Sequence, residues 1–174
     1  NYTTDYIVWS AEQSLKNLKT DYLDLFLLHR PSPLMDPETI SAAINKLVKE
    51  GKIKSFGVSN FTTSQIKLLE TKIPVESNQI ELSLTANDAM SNGTLDDCIT
   101  RKRTVMSWSP LGSYFKEDTL QTKRIKKAIT PMLSKYDATA DQLLLAWILK
   151  HPSGVHPVVG TTSKDRLKAS KVAV

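Results

Sequence analysis

The stretch Ile53-Lys54-Ser55-Phe56-Gly57-Val58-Ser59-Asn60-Phe61-Thr62-Thr63-Ser64-Gln65-Ile66 holds the pattern on which the rest of the chain is built. Ile53 to Ser59 reads as a strand that runs into a polar end. Thr62 to Gln65 has capping-box spacing, with a hydroxyl for the N3 amide and a carboxamide reaching back to the N-cap amide. It therefore opens a helix through Ile66, Leu68 and Leu69. Upstream, Gly51 stops a helix that carries Ile40, Ala43, Ile44, Leu47 and Val48 on one face. Asp36 caps that helix and Pro37 occupies its first position. Earlier still, Leu23 to Leu28 is a short apolar run, and Ile7, Ala11, Leu15 and Leu18 recur at helical spacing. Downstream, Pro74 precedes a strand around Ser77 to Leu82, and Asn92-Gly93 is a turn signal before a short helix near Leu95 to Ile99. Thr104 to Trp108 reads as the next strand, closed by Pro110 and Gly112. Helices over Leu120 to Tyr136 and Ala140 to Lys150 precede a strand from Val155 to Val159 and a closing helix from Asp165 to Val172.

Strand and helix thus alternate five times with short connections, which favours a parallel α/β sheet whose strands return through helical crossovers. Such a sheet is either open and doubly wound or part of a barrel. Open nucleotide-binding sheets usually carry a G-x-G-x-x-G or P-loop turn after the first strand, and this sequence has six glycines and neither pattern. A closed (β/α)8 TIM barrel takes about 250 residues. The chain has 174, so it reads as a single domain over residues 1–174 that covers the last five of eight units, with the beginning missing. Five units alone would leave two strand edges unpaired and an apolar interior open to water.

The composition, 40% hydrophobic and 24% charged, is that of a globular domain and excludes disordered or collagenous chains. No apolar run approaches the roughly 18 to 20 residues of a membrane span, and Asn1-Tyr2-Thr3-Thr4-Asp5 lacks the features of a signal peptide. The expected location is the cytoplasm. Cys98 is alone, so neither an internal disulfide nor a cysteine-based zinc site is available. The net charge of +5 is read as dispersed apart from Arg101-Lys102-Arg103, taken as a solvated helix end rather than a nucleic-acid patch.

Chemistry in a barrel gathers at the C-terminal ends of its strands. Here those ends are polar: His29-Arg30-Pro31, Ser59-Asn60-Phe61, Asn78-Gln79-Ile80-Glu81, Trp108-Ser109-Pro110-Leu111-Gly112 and Gly160-Thr161-Thr162-Ser163. Asn60 and Gln79 can each give and take hydrogen bonds with a carboxamide. His29 can donate to a carbonyl oxygen, and Trp108 offers a flat face to a heteroaromatic ring.

These motifs, together with Thr20-Asp21-Tyr22-Leu23-Asp24-Leu25 and Arg166, occur in the order and at the spacing of the aldo-keto reductases. The chain resembles that family over nearly its whole length, and in particular its bacterial YdhF-like members. The resemblance implies a TIM barrel that binds an extended NADPH and moves hydride between its nicotinamide and the carbonyl of an aldehyde or ketone. It makes His29 the active-site histidine that polarises the carbonyl. Ser59, Asn60 and Gln79 become the residues that hold the nicotinamide carboxamide, and Trp108 the one that stacks on its ring. Ser109, Leu111 and Ser113 fall in the loop that covers the pyrophosphate. Thr161, Thr162, Ser163 and Arg166 fall where relatives hold the 2′-phosphate and adenine, which favours NADPH and leaves NADH possible.

Three features depart from the family pattern. Gly160 stands where many animal relatives place lysine, with Lys164 as the replacement charge. Ala169 and Ser170 stand where they carry a glutamate and an amide. No residue matches the family's tyrosine acid or the lysine and aspartate that tune it; in relatives these come from the first units of the barrel. Tyr2, Tyr6, Tyr22, Tyr114 and Tyr136 do not occupy the tyrosine's position, Tyr114 reading as a loop aromatic. A non-catalytic nucleotide-binding module and an inactive remnant are therefore the alternatives to an enzyme. The partner expected is a small carbonyl compound, with no metal, nucleic acid or membrane.

Overall fold

In the first half of the chain, apolar faces at the predicted spacings close over one another. The computed structural model describes residues 2–173; Asn1 and Val174, the two ends of the expected single domain, lie outside the described residues. The elements are α1 (Thr4–Leu18), β1 (Leu23–Leu28), α2 (Pro37–Lys49), β2 (Ile53–Ser59), α3 (Thr63–Leu69), β3 (Ser77–Glu81), α4 (Thr94–Arg101), β4 (Thr104–Trp108), α5 (Leu120–Tyr136), α6 (Ala140–Leu149), β5 (His156–Pro157) and α7 (Lys164–Ser170). Short 3-10 turns at Asp88–Met90 and Lys171–Ala173 complete the order. The strands follow one another in the sheet as β1-β2-β3-β4-β5. Parallel register sets Phe26 beside Phe56, Ser59 beside Gln79, and Ser107 beside Pro157. Among the described residues, no helix is long and apolar enough to cross a membrane.

The chain forms two compact units, Asn1–Gln79 and Ile80–Val174. In the first, Ile7 and Ala11 of α1 and Ile40, Ala43, Ile44 and Leu47 of α2 pack with Phe26, Phe56 and Val58 of the strands. Asp36 caps α2 by accepting the Glu38 and Thr39 amides, and Thr62 and Gln65 form the expected capping box on α3. Gly57 has no tolerance for a side chain: a Cβ there would lie 2.7 Å from Leu27 Cδ2 and 2.8 Å from the Ser77 carbonyl. Two residues expected on buried faces are exposed. Leu18 is the last residue of α1, just before Lys19 turns left-handed, and Val48 sits at the margin of the α2 stripe.

In the second unit, Ile80, Leu82, Leu95, Cys98, Val105 and Ile148 form one cluster. Tyr114, Ile129 and Leu144 form another, so Tyr114, on the loop between β4 and α5 as expected, is also a core residue. Of the basic triplet, Arg101 and Lys102 are exposed at the end of α4 as read, whereas Arg103 is not. Its guanidinium is 2% exposed and reaches Asp97 Oδ2 at 3.2 Å, a charge that can be buried because its partner is buried with it. The fifth strand is shorter than Val155 to Val159. It pairs with β4 at His156 and Pro157 alone, and Val158 N, just beyond, donates to the Ser107 carbonyl at 2.9 Å, which leaves the Pro157 nitrogen facing away from β4. The closing helix begins at Lys164 and passes into the 3-10 turn after Ser170.

Candidate functional site

Beyond the last residue of β2, the backbone turns left-handed at Asn60, where φ is 60°. Asparagine tolerates this region better than most residues. Two hydrogen bonds hold the turn against β3 and a third braces it internally. Asn60 N and Ser59 Oγ each donate to the Gln79 carbonyl at 2.9 Å, and Asn60 Nδ2 donates to Ser59 Oγ at 3.1 Å. Ser59, Asn60 and Gln79 are thereby brought together within the first unit. Asn60 does not cap α3, since Thr62 does. Buried Asn78 reinforces the same turn through Nδ2, which donates to the Phe61 carbonyl at 3.0 Å. The Gln79 carboxamide is half-buried and makes no hydrogen bond among the described residues.

His29 stands exposed past the end of β1 and lines a cavity of about 520 Å³ with Tyr2, Tyr6, Ser10, Ser14 and Arg30. Burial pushes the Tyr2 phenol above its ordinary value, partly offset by a hydrogen bond from the Arg30 main chain. A phenol moved upward is a weaker acid at neutral pH, so proximity to His29 does not equip Tyr2 to protonate a substrate.

In the second unit, β4 gives way at Ser109 to a loop that is again left-handed, with φ of 48°. Gly112 N donates to the Ser109 carbonyl at 2.8 Å, and Ser113 N donates to Thr85 Oγ1 at 3.0 Å. The loop is thus tied to the turn after β3. It walls a cavity of about 460 Å³ together with the segment after β5 and parts of α6 and α7. Six of the residues expected to bind cofactor, Ser109, Leu111, Thr161, Thr162, Ser163 and Arg166, line this one space. Ser113 and Trp108 are not among its lining residues; Ser113 anchors the loop, and Trp108 is half-buried at the end of β4.

The hydroxyls around this cavity are already half used. Thr161 Oγ1 accepts from Ser163 N at 3.2 Å, and Ser163 Oγ accepts from Arg166 N at 3.4 Å. Each accepts from the main chain and so keeps its own proton to donate to an external oxygen. Ser163 therefore caps α7 as an ordinary N-cap and still faces the cavity. Lys116, Phe115, Asp141 and Ser170 also line it and were missed from the sequence. For Lys116 the signal was available, because it lies three residues past Ser113 in the same loop.

The family model described as "Aldo/keto reductase family" matches residues 1–174. The uncharacterized oxidoreductase YcsN of Bacillus subtilis is 41% identical over 98% of this chain and 58% of its own length. Oxidoreductase YdhF of Escherichia coli is 39% identical over 95% and 57%. A 6-dehydroglucose reductase of Agrobacterium fabrum is 38% identical over 99% and 58%. Among solved structures, the thermostable aldo-keto reductase Tm1743 in complex with the inhibitor epalrestat superposes with a TM-score of 0.87 at 28% identity, covering 99% of this chain and 61% of that one. An aldo/keto reductase from Klebsiella pneumoniae in complex with NADP and acetate gives 0.80 at 30% identity, covering 94% and 57%. The chain spans about three-fifths of the length of the relatives it matches.

Proposed function

This chain belongs to the aldo/keto reductase family, and on that premise we propose that it carries the histidine and most of the cofactor-binding surface of an NADPH-dependent oxidoreductase for aldehydes or ketones. One observation carries the reading: residues from two separate sequence motifs, Ser109 and Leu111 of one and Thr161 to Ser163 with Arg166 of the other, line a single cavity of about 460 Å³. The fit to a phosphorylated dinucleotide is chemical. Two hydroxyls with protons to spare and a guanidinium suit phosphate oxygens, and Leu111 and Phe115 offer apolar contact beside them.

When bound, the cofactor supplies a hydride for the carbonyl carbon. His29 donates a hydrogen bond to the carbonyl oxygen and so favours charge developing there. Ser59, Asn60 and the Gln79 carboxamide would hold the nicotinamide carboxamide, and Trp108 would offer its ring to stack on. The loop from Ser109 to Ser113 covers the pyrophosphate, with Ser113 acting through its tie to Thr85. The substrate class, a small carbonyl compound, is supported by the 38% identity to a reductase of 6-dehydroglucose. A buried lone thiol suits a cytoplasmic setting.

A nucleotide-binding module without turnover is the second reading, favoured by one observation: of the two tyrosines that line a cavity with His29, Tyr2 is pushed away from acidity by burial. Titrating the natural polypeptide with NADPH while following tryptophan fluorescence, and then adding a simple aldehyde, separates the two. Quenching with subsequent NADPH oxidation is expected. Quenching without oxidation selects the module, and no quenching removes both.

A further inference from the structure

Gly160 leaves open the question of charge. It lines the cavity in which Thr161, Ser163 and Arg166 gather, and a Cβ built on it would meet nothing within 4 Å. Shape therefore does not exclude a lysine at this position; the chain simply carries none. Arg166 is then the only cation that the motif itself brings to the cavity, and Asp141 adds a carboxylate to the same space. One guanidinium against one carboxylate is a poor host for a phosphate monoester, which carries about −1.5 to −2 at neutral pH.

Lys164, the replacement suggested by sequence position, is not among the lining residues, whereas Lys116 is. Lys116 reaches the cavity from the opposite stretch of sequence, on a loop whose course is fixed. Its N–H donates to the Ser113 carbonyl at 2.9 Å, and Ser113 N is itself held by Thr85 Oγ1 at 3.0 Å. Arg166 is held comparably: Ser163 Oγ accepts its N–H, and Ser170 Oγ donates to its carbonyl at 2.9 Å. Neither Lys116 nor Arg166 forms an ion pair among the described residues, so both charges remain available.

We propose that Lys116 is a specificity-determining residue of this cavity: paired with Arg166, it supplies the second positive charge that lets the site prefer a nucleotide bearing a 2′-phosphate, in place of a lysine at 160 and independently of Lys164. The proposal rests on the reading of the cavity as a cofactor site. Lysine meets phosphate as a compact, mobile point charge, so its contribution falls on the phosphate and not on the rest of the ligand.

The test measures dissociation constants of NADPH and NADH by fluorescence quenching in the natural polypeptide. It is repeated by calorimetry with 2′,5′-ADP and 5′-ADP. Lys116→Met is expected to weaken NADPH and 2′,5′-ADP by about tenfold and the unphosphorylated pair by less than about twofold. Lys164→Met is expected to change neither, Lys116→Arg to retain most of the selectivity, and Gly160→Lys added to Lys116→Met to restore it. An unchanged NADPH to NADH ratio in Lys116→Met overturns the proposal, as does loss of selectivity in Lys164→Met or an unselective parent. A parent that binds none of the four ligands refutes the cofactor site itself, an outcome distinct from the others. Circular dichroism of each variant separates these results from misfolding.

Discussion

Left-handed backbone at residues other than glycine occurs at Lys19, Asn60, Lys102, Ser109 and Asp137. Lys19, Lys102 and Asp137 end helices, where that conformation is ordinary. Asn60 and Ser109 instead follow strands, at the two turns from which candidate ligand-binding groups project, and such positions hold strain only where the surroundings enforce it. Asn60 combines a backbone task with a chemical one, and two substitutions separate them. Asn60→Gly should keep stability within about 0.5 kcal/mol while weakening NADPH binding, whereas Asn60→Ala should lose binding and about 1 kcal/mol of stability as well. Equal stability of the two variants in urea would remove the backbone part. Gly112 is the stricter case, since φ is 55° and a Cβ would collide with the Thr85 and Ser83 hydroxyls that anchor the loop. Gly112→Ala should cost about 2 kcal/mol or more and loosen the Ser113 tie, read as a lower urea midpoint together with weaker cofactor binding. Cys98 gives a pH prediction. Burial raises its thiol from 9.0 to about 11, so the folded protein holds the proton where the unfolded chain has released it. Stability from this group is complete below pH 9 and falls as pH rises toward 11, by about 2 kcal/mol in all. Cys98→Ala should flatten that part of the stability profile, and the native thiol should resist alkylation at pH 8.

At the scale of elements, α4 is joined to the start of β4 by the buried pair of Asp97 and Arg103, whose side chains are 8% and 2% exposed. Removing Asp97 takes a buried carboxylate from a guanidinium that is itself buried. Asp97→Asn is accordingly expected to cost about 3 kcal/mol or more, while Asp97→Leu with Arg103→Met should cost much less. Urea melts of the single and double variants test this, and equal losses would show that packing, not the charge left behind, sets the cost. That pair also marks where local reading of the sequence stopped. Helix starts were legible because caps are local: Asp36 with Pro37, and Thr62 with Gln65, bond to amides two or three residues away. The burial of Arg103 was not, because a run of three basic residues looks the same whether or not a carboxylate six positions earlier turns toward it. β5 was legible as a strand but not in length, since only His156 and Pro157 pair in register with Met106 and Ser107 of β4, and that pairing is not local in sequence. In the site, Ser59, Asn60 and Gln79 were named as a set by the resemblance to the family, and the parallel register that sets Ser59 beside Gln79 is visible only in the folded chain. Lys116 lay within reach, three residues past Ser113 on a loop already singled out, but that this loop walls the same cavity as Arg166 is a matter of tertiary structure.

For the molecule as a whole, the charge is not dispersed as its sequence suggested. The chain has 23 basic and 18 acidic side chains. Five of the basic ones, Lys123, Arg124, Lys126, Lys127 and Lys135, lie on α5 with no acidic residue among them, so the remaining 157 residues balance at 18 against 18. The inner side of that helix is taken by Thr122 and Ile129, both buried, which leaves Lys123, Arg124, Lys127 and Lys135 toward solvent. Lys126 alone turns back, its Nζ 5.8 Å from the centre of the Tyr114 ring. A one-signed stripe creates a local potential that the same charge scattered over the surface does not, and solvent ions screen it within about 8 Å at physiological salt. Position should therefore matter more than net charge. Replacing Lys123, Arg124, Lys127 and Lys135 by glutamine lowers the formal charge from +5 to +1, and so does replacing exposed Lys16, Lys46, Lys67 and Lys150. On a cation exchanger at neutral pH the first variant should elute at clearly lower salt than the second, with unchanged circular dichroism in both. Coincident elution would mean that the field of α5 is no stronger than that of the rest of the surface.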